Sequence, residues 1–188
     1  MLYFFVGFSR VKHINKKISK SIGILYKLKS ILPTTTLRSI YYSLIHPYLL
    51  HCLAVWGSTY QTHLNPAFLV QKKAIRLISN AGYYEHTNPL FISHKILKLK
   101  DLYLFQLGVY VYKNPENFDF RSEHSYNTRQ AGNLRPPLQR LRSSEQSVFS
   151  KGCSLWNELP EPIKTADSLE KFKRSLKEYY LEKYQHEI

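Results

Sequence analysis

Acidic residues are nearly missing from the first hundred positions, where Glu85 stands alone. Two-metal phosphoryl transfer needs at least two close carboxylates to hold its ions. That half of the chain cannot supply them. The acids of residues 101–188 are scattered at helix-surface spacing, and no Asp-Asp, Asp-x-Asp or Glu-x-x-His pair occurs anywhere. Cysteine is equally scarce. Cys52 and Cys153 are the only two, too few for a disulfide framework and without the close partner that a zinc site needs. A reducing, intracellular compartment is the expectation, with nucleus and cytoplasm not distinguished.

Other absences narrow the field further. Gly-x-Ser-x-Gly and Walker-type loops do not occur, so there is no recognisable cradle for a nucleophile or a phosphate. The eight histidines form no pair at i, i+3 or i+4, and each reads as a core or surface residue. The longest apolar stretch, Ile40 to Trp56, is interrupted by His46, Pro47 and His51 and is shorter than the ~20 residues a spanning helix requires. A buried helix pair is expected there, and no membrane partner. Met1 to Phe8 is too short for a signal sequence and lacks a basic start. No internal repeat is visible.

What is present is positive charge and aromatic surface. The chain has 188 residues with 27 Lys and Arg against 13 Asp and Glu. Fourteen of those cations lie in residues 1–100, facing one acid, and thirteen lie in residues 101–188, facing twelve. Attraction for a polyanion therefore belongs to the first half, with nucleic acid the first expectation. The 15 Tyr and 10 Phe give enough contact area for a core or a broad interface.

The pattern of apolar residues predicts an all-α chain. Val11, Ile14, Ile18, Ile22, Leu25, Leu28 and Leu32 fall on one helical face that Pro33 ends. Thr34 to Thr36 offer caps for a second helix running towards Pro47, which should kink or break it. Tyr48 to Trp56 is apolar nearly all round and is expected to be buried. Asn65-Pro66 and Asn88-Pro89 each read as a helix start, the second leading into Leu90, Ile92, Ile96 and Leu97. Asp101 to Tyr112 reads as an apolar helix. Residues 114–144, with Pro115, Pro136 and Pro137, read as an irregular linker. Helices over Glu145 to Glu158 and after Asp167-Ser168-Leu169-Glu170 complete the chain. The expected organisation is a basic helical domain over 11–113, a linker over 114–144 and a smaller helical unit over 145–188.

Two basic clusters are the candidate sites. Lys12, Lys16, Lys17 and Lys20 lie together on the first helix, and Gln71, Lys72, Lys73 and Arg76 on a later one. Lys72 and Arg76 share a face at i, i+4. Such stripes can contact successive phosphates, although a solvated helix face has the same composition.

At these residues the chain resembles the region after the palm of non-LTR retrotransposon (LINE) reverse transcriptases, with the jockey and CR1-like elements the nearest group. The resemblance rests on the order of short motifs: His13 to Leu25 with Leu32-Pro33, Leu44-Ile-His-Pro-Tyr48, Val55-Trp-Gly57 and Gln71-Lys-Lys-Ala-Ile-Arg76. His86-Thr-Asn-Pro-Leu90, Tyr126-Asn-Thr-Arg129, Leu155-Trp-Asn-Glu-Leu-Pro160 and Phe172-Lys follow, so residues 10–184 are covered. The resemblance implies that residues 11–80 act as a thumb embracing an RNA–DNA or DNA template–primer duplex. It implies that residues 1–10 are a remnant of the strand joining palm to thumb, Phe5-Val-Gly-Phe8 standing for the usual Phe-Leu-Gly-Val. It also implies that the catalytic aspartates and their Mg²⁺ belong to a preceding palm. On that reading the chain alone is not an enzyme, needs no cofactor, and has the palm and fingers as protein partners. Trp156 and Asn157 read as packing and capping residues. The alternatives are a helical protein-interaction module or a decayed transposon-derived reading frame.

Overall fold

A computed structural model describes residues 2–119, 133–137 and 146–187, with side chains from 11 to 185. The fold is all-α, and among the described residues there is no strand. The chain divides into two compact units, residues 1–102 with 179–188 and residues 103–178. These boundaries run inside two helices and differ from the division expected at 113/114 and 144/145. Most of the expected linker over 114–144 lies outside the described residues, as do Tyr126 to Arg129 and Glu145.

The first unit is built around α1 (Leu2–Leu28), which packs most heavily on α5 (Gln61–Ile78) and also meets α2 (Thr34–Leu44), α3 (His46–Leu50) and α4 (Leu53–Trp56). The expected face of α1 is the one that is buried: Val11, Ile14, Ile18, Ile22 and Leu25 are in the core. The helix starts earlier than expected, however. Residues 2–10 form its opening turns and not a separate strand segment.

Three other expectations are corrected. The second helix is capped by Pro33, and no threonine side chain closes its first turn. Ser21 on α1 instead donates to the Leu44 carbonyl at its far end, at 3.1 Å. The segment Tyr48 to Trp56 is not buried throughout. Leu49, Leu53 and Trp56 are in the core, whereas Tyr48, His51, Cys52 and Val55 are exposed. Two short helices joined at Cys52 in left-handed conformation turn only one apolar edge inward. Pro66 does not open a helix either. It lies inside α5, because burial of Leu64 draws the helix start back to Gln61. Pro47 does break the chain as expected: α2 ends at Leu44 and α3 carries Pro47 in its first turn.

Helix α6 (Asn88–Ser93) starts where Asn88-Pro89 predicts but does not reach Ile96 and Leu97. A Schellman closure ends it, with Ile96 N–H donating to Phe91 O and Lys95 N–H to Ile92 O. Lys95 takes the left-handed position, φ 52°, that usually falls to glycine. The sequence carries no glycine there to signal the stop.

The second unit combines residues 103 onward of α7 (Leu99–Lys113) with α8 (Val148–Glu158), α9 (Glu161–Lys164) and α10 (Leu169–Lys183) up to residue 178. Ser147 caps α8, accepting from Ser150 N–H at 3.2 Å, and Ser168 accepts from Lys171 N–H at 3.3 Å ahead of α10. Phe172 is fully buried, stacked on Tyr112 with ring centroids 4.4 Å apart and lying 6.1 Å from Trp156. Gly108 lets α7 approach α10: a Cβ there would sit 2.9 Å from Leu176 Cδ2.

Candidate functional site

Helix α1 presents its lysines away from the core. Lys12, Lys16, Lys17 and Lys20 are all exposed, as is Lys27. At about 100° per residue, Lys12, Lys16, Lys20 and Lys27 fall within one strip opposite the buried seam, and Lys17 lies about a quarter turn to its side. The strip runs for about 22 Å along the helix. The four are therefore one ridge, and the buried face of α1 fixes its direction.

The second predicted cluster does not stay together. Gln71 is 0% exposed and is corrected from a candidate contact to a core residue. Its amide donates to Tyr41 Oη at 3.0 Å and to the Leu97 carbonyl at 2.9 Å, and its oxygen accepts from Leu99 N–H at 2.9 Å. Those bonds tie α5 to α2 and to the start of α7. Burial pushes the Tyr41 phenol far above its ordinary range, so it remains neutral.

Lys72 is half-buried, with its ammonium 4.6 Å from the Phe68 ring centroid. It lines a cleft of about 300 Å³ whose other charged walls are Lys98, Lys100 and Asp101. Lys98 lies 4.0 Å from the Tyr184 ring, and Tyr184 Oη accepts from Lys98 N–H and bonds to Asp101 Oδ2 at 2.7 Å. Lys73 is exposed. Arg76 is half-buried, not freely exposed as its sequence position suggested. Its Nε donates to the Glu85 carbonyl at 3.0 Å and so fastens the chain that follows α5.

That loop is a feature the sequence reading missed. Tyr83 and Tyr84 are 75% and 92% exposed. A further pair was also missed, at the C-terminal end of α5. Ser79 Oγ and His94 Nε2 share a 2.7 Å hydrogen bond, and burial, then the nearby Arg38 charge, lower the His94 pKa. A neutral imidazole results.

In the second unit Trp156 is buried against Phe172, and Asn157 grips backbone. Its Oδ1 accepts from Leu134 N–H at 2.8 Å and its Nδ2 donates to Leu134 O at 3.0 Å. The amide imitates a neighbouring strand and seats Leu134 in the core. Asn157 is thus a backbone clamp in place of the helix cap that the sequence suggested. Cys153 is buried and its thiol pKa is raised, first by burial and then by Asp119. Its reactive thiolate is disfavoured.

Among the described residues no group of three His, Cys, Asp or Glu is placed to hold a metal ion. No helix described is long and apolar enough to cross a membrane. No family model matches the chain, and neither a curated protein nor a solved structure does.

Proposed function

We propose that the first unit grips a nucleic-acid duplex, as the thumb-like, non-catalytic part of a non-LTR retrotransposon reverse transcriptase. The lysine ridge of α1 carries this reading. Fifteen cations stand against four acids in that unit, and four of the cations line one outward strip. Lysines so placed contact phosphates without reading bases, as a polymerase thumb must on any template. The order of sequence motifs supplies the polymerase context. In that context the palm provides the aspartates and Mg²⁺, and this chain provides grip.

The test is binding of a labelled RNA–DNA primer–template duplex across a salt series. Affinity should fall steeply as salt rises. Changing Lys12, Lys16 and Lys20 to Gln should reduce the log–log slope by up to about 3 while leaving helicity intact. A slope unchanged by the triple substitution would sink the duplex reading. Purified alone with primer–template, Mg²⁺ and dNTPs, the chain should incorporate no nucleotide. A second reading, docking of a protein partner such as palm and fingers, draws on the exposed Tyr26, Ile31, Val55 and Leu69. No duplex binding at low salt would favour it.

A further inference from the structure

The turn after α5 places two tyrosines in water and fixes the backbone beneath them. Gly82 O accepts from Glu85 N–H at 3.2 Å, so Tyr83 and Tyr84 occupy the two corner positions of a β-turn. Glu85 closes the turn a second time, its Oε2 accepting from Gly82 N–H at 3.0 Å. Both ends of the loop are anchored to α5. Ala81 N–H donates to Arg76 O and Asn80 N–H to Leu77 O, a Schellman closure with Asn80 left-handed at φ 51°. Arg76 Nε then reaches over to the Glu85 carbonyl at 3.0 Å. The tyrosine rings lie edge to face, 5.0 Å between centroids.

We infer that Tyr83 and Tyr84 form a stacking platform for unpaired nucleotides. A base has an apolar face and so does a tyrosine ring, and stacking is indifferent to sequence. The pinned turn lowers the ordering cost that an exposed loop would otherwise add on binding. Charge selects the occupant. Arg76 reaches the turn through its Nε bond to the Glu85 carbonyl, Glu85 is the sole acid of the first hundred residues, and its carboxylate is engaged by Gly82. Apart from its Nε bond, the Arg76 guanidinium keeps further N–H donors for a phosphate. An aromatic pair beside the Arg76 guanidinium suits a single strand better than an apolar protein surface.

This inference rests on the duplex-gripping reading only in that the first unit meets nucleic acid. The experiment compares the full chain on a blunt RNA–DNA duplex, on the same duplex with a six-nucleotide single-stranded extension, and on the free single strand. The extension should raise affinity about tenfold. Tyr83→Ala with Tyr84→Ala should abolish that gain and leave blunt-duplex binding unchanged, and Tyr83→Phe with Tyr84→Phe should retain it. Both positions are exposed, so unchanged helicity by circular dichroism is expected for each variant. No gain from the extension, or a gain that survives the double alanine change, overturns the platform while leaving the duplex reading intact. Failure on the blunt duplex with tyrosine-dependent binding of the single strand overturns the duplex reading and upholds the platform. Binding of none of the three overturns both.

Discussion

The two units solve different problems with the same secondary structure. The first carries fifteen cations and four acids, the second twelve and nine. In the second, Lys164 and Lys171 lie 3.0 and 2.9 Å from Glu161 and Asp167, local pairs that balance their own charge. In the first, α1 spends its outer face on lysines and its inner face on aliphatic packing. The cores differ as well. The first is tied at its centre by the amide of Gln71, the second by an aromatic stack around Phe172 and by the close helix approach at Gly108. The first unit adds the Gln71 hydrogen bonds to a largely aliphatic core, and the second adds the Asn157 clamp to an aromatic one. Surface charge and core chemistry are therefore separable targets.

The largest expected effect separates the surfaces. Changing Lys12, Lys16 and Lys20 to Gln should weaken duplex binding on the order of a hundredfold at 0.1 M salt. The same change at Lys171, Lys173 and Arg174 in the second unit should have little effect. Equal losses from both triple variants in anisotropy titrations would erase the distinction between the units.

The next effects separate the cores. Phe172→Ala should destabilise the second unit by about 3–5 kcal/mol through lost burial and an unfilled cavity. Gln71→Leu should cost the first unit roughly 2–4 kcal/mol, because the Leu99 N–H and Leu97 carbonyl are left buried without their partner. Hydrogen exchange resolved by residue would locate each loss. Loss of protection spread equally over residues 11–102 and 103–178 in either variant would contradict independent cores. Asn157→Ala should cost about 1–3 kcal/mol and expose the Leu134 amide to exchange. The change should not touch the first unit.

Two smaller effects sharpen the first unit alone. Lys95→Gly should stabilise it by roughly 0.5–1 kcal/mol, since glycine occupies the left-handed position without a Cβ penalty. A lower melting temperature would show that Lys95 contributes more than conformation. His94 should give the smallest signal. Its folded pKa is below the ordinary 6.5, so the unfolded chain takes up the proton first. The contribution of the neutral imidazole is whole above pH 6.5, declines as pH falls towards the folded pKa, and is lost below it. An NMR titration placing His94 at or above 6.5 would contradict this environment.

Much of the fold is legible in the residue pattern because burial follows periodicity. The seam of α1, the break at Pro47, the apolar α7 and the Ser168 start of α10 all follow from apolar spacing and end signals. The failures share a cause. Pro66 inside α5, Lys95 ending α6 and the absence of a threonine cap on α2 are local preferences overridden by packing elsewhere. Gln71 failed most plainly as a site residue. Its neighbours Lys72 and Lys73 give it the company of a basic stripe, yet it faces inward, where α2 and the start of α7 offer polar backbone and phenol.

What the sequence alone determined was the helical class, the charge imbalance and the outward ridge of α1, because the apolar seam of a helix fixes its opposite face. It also held the absence first noted, one acid in a hundred residues. Tertiary structure decided which cluster residues share a surface. It took Gln71 into the core, turned Arg76 into a loop anchor, grouped Lys72 with Lys98 and Lys100, and set Tyr83 and Tyr84 on a closed turn. Most of those outcomes depend on hydrogen bonds between distant positions, thirty residues apart for Gln71 and Tyr41 and 86 for Lys98 and Tyr184, and no local pattern encodes which distant donor or carbonyl a side chain will meet.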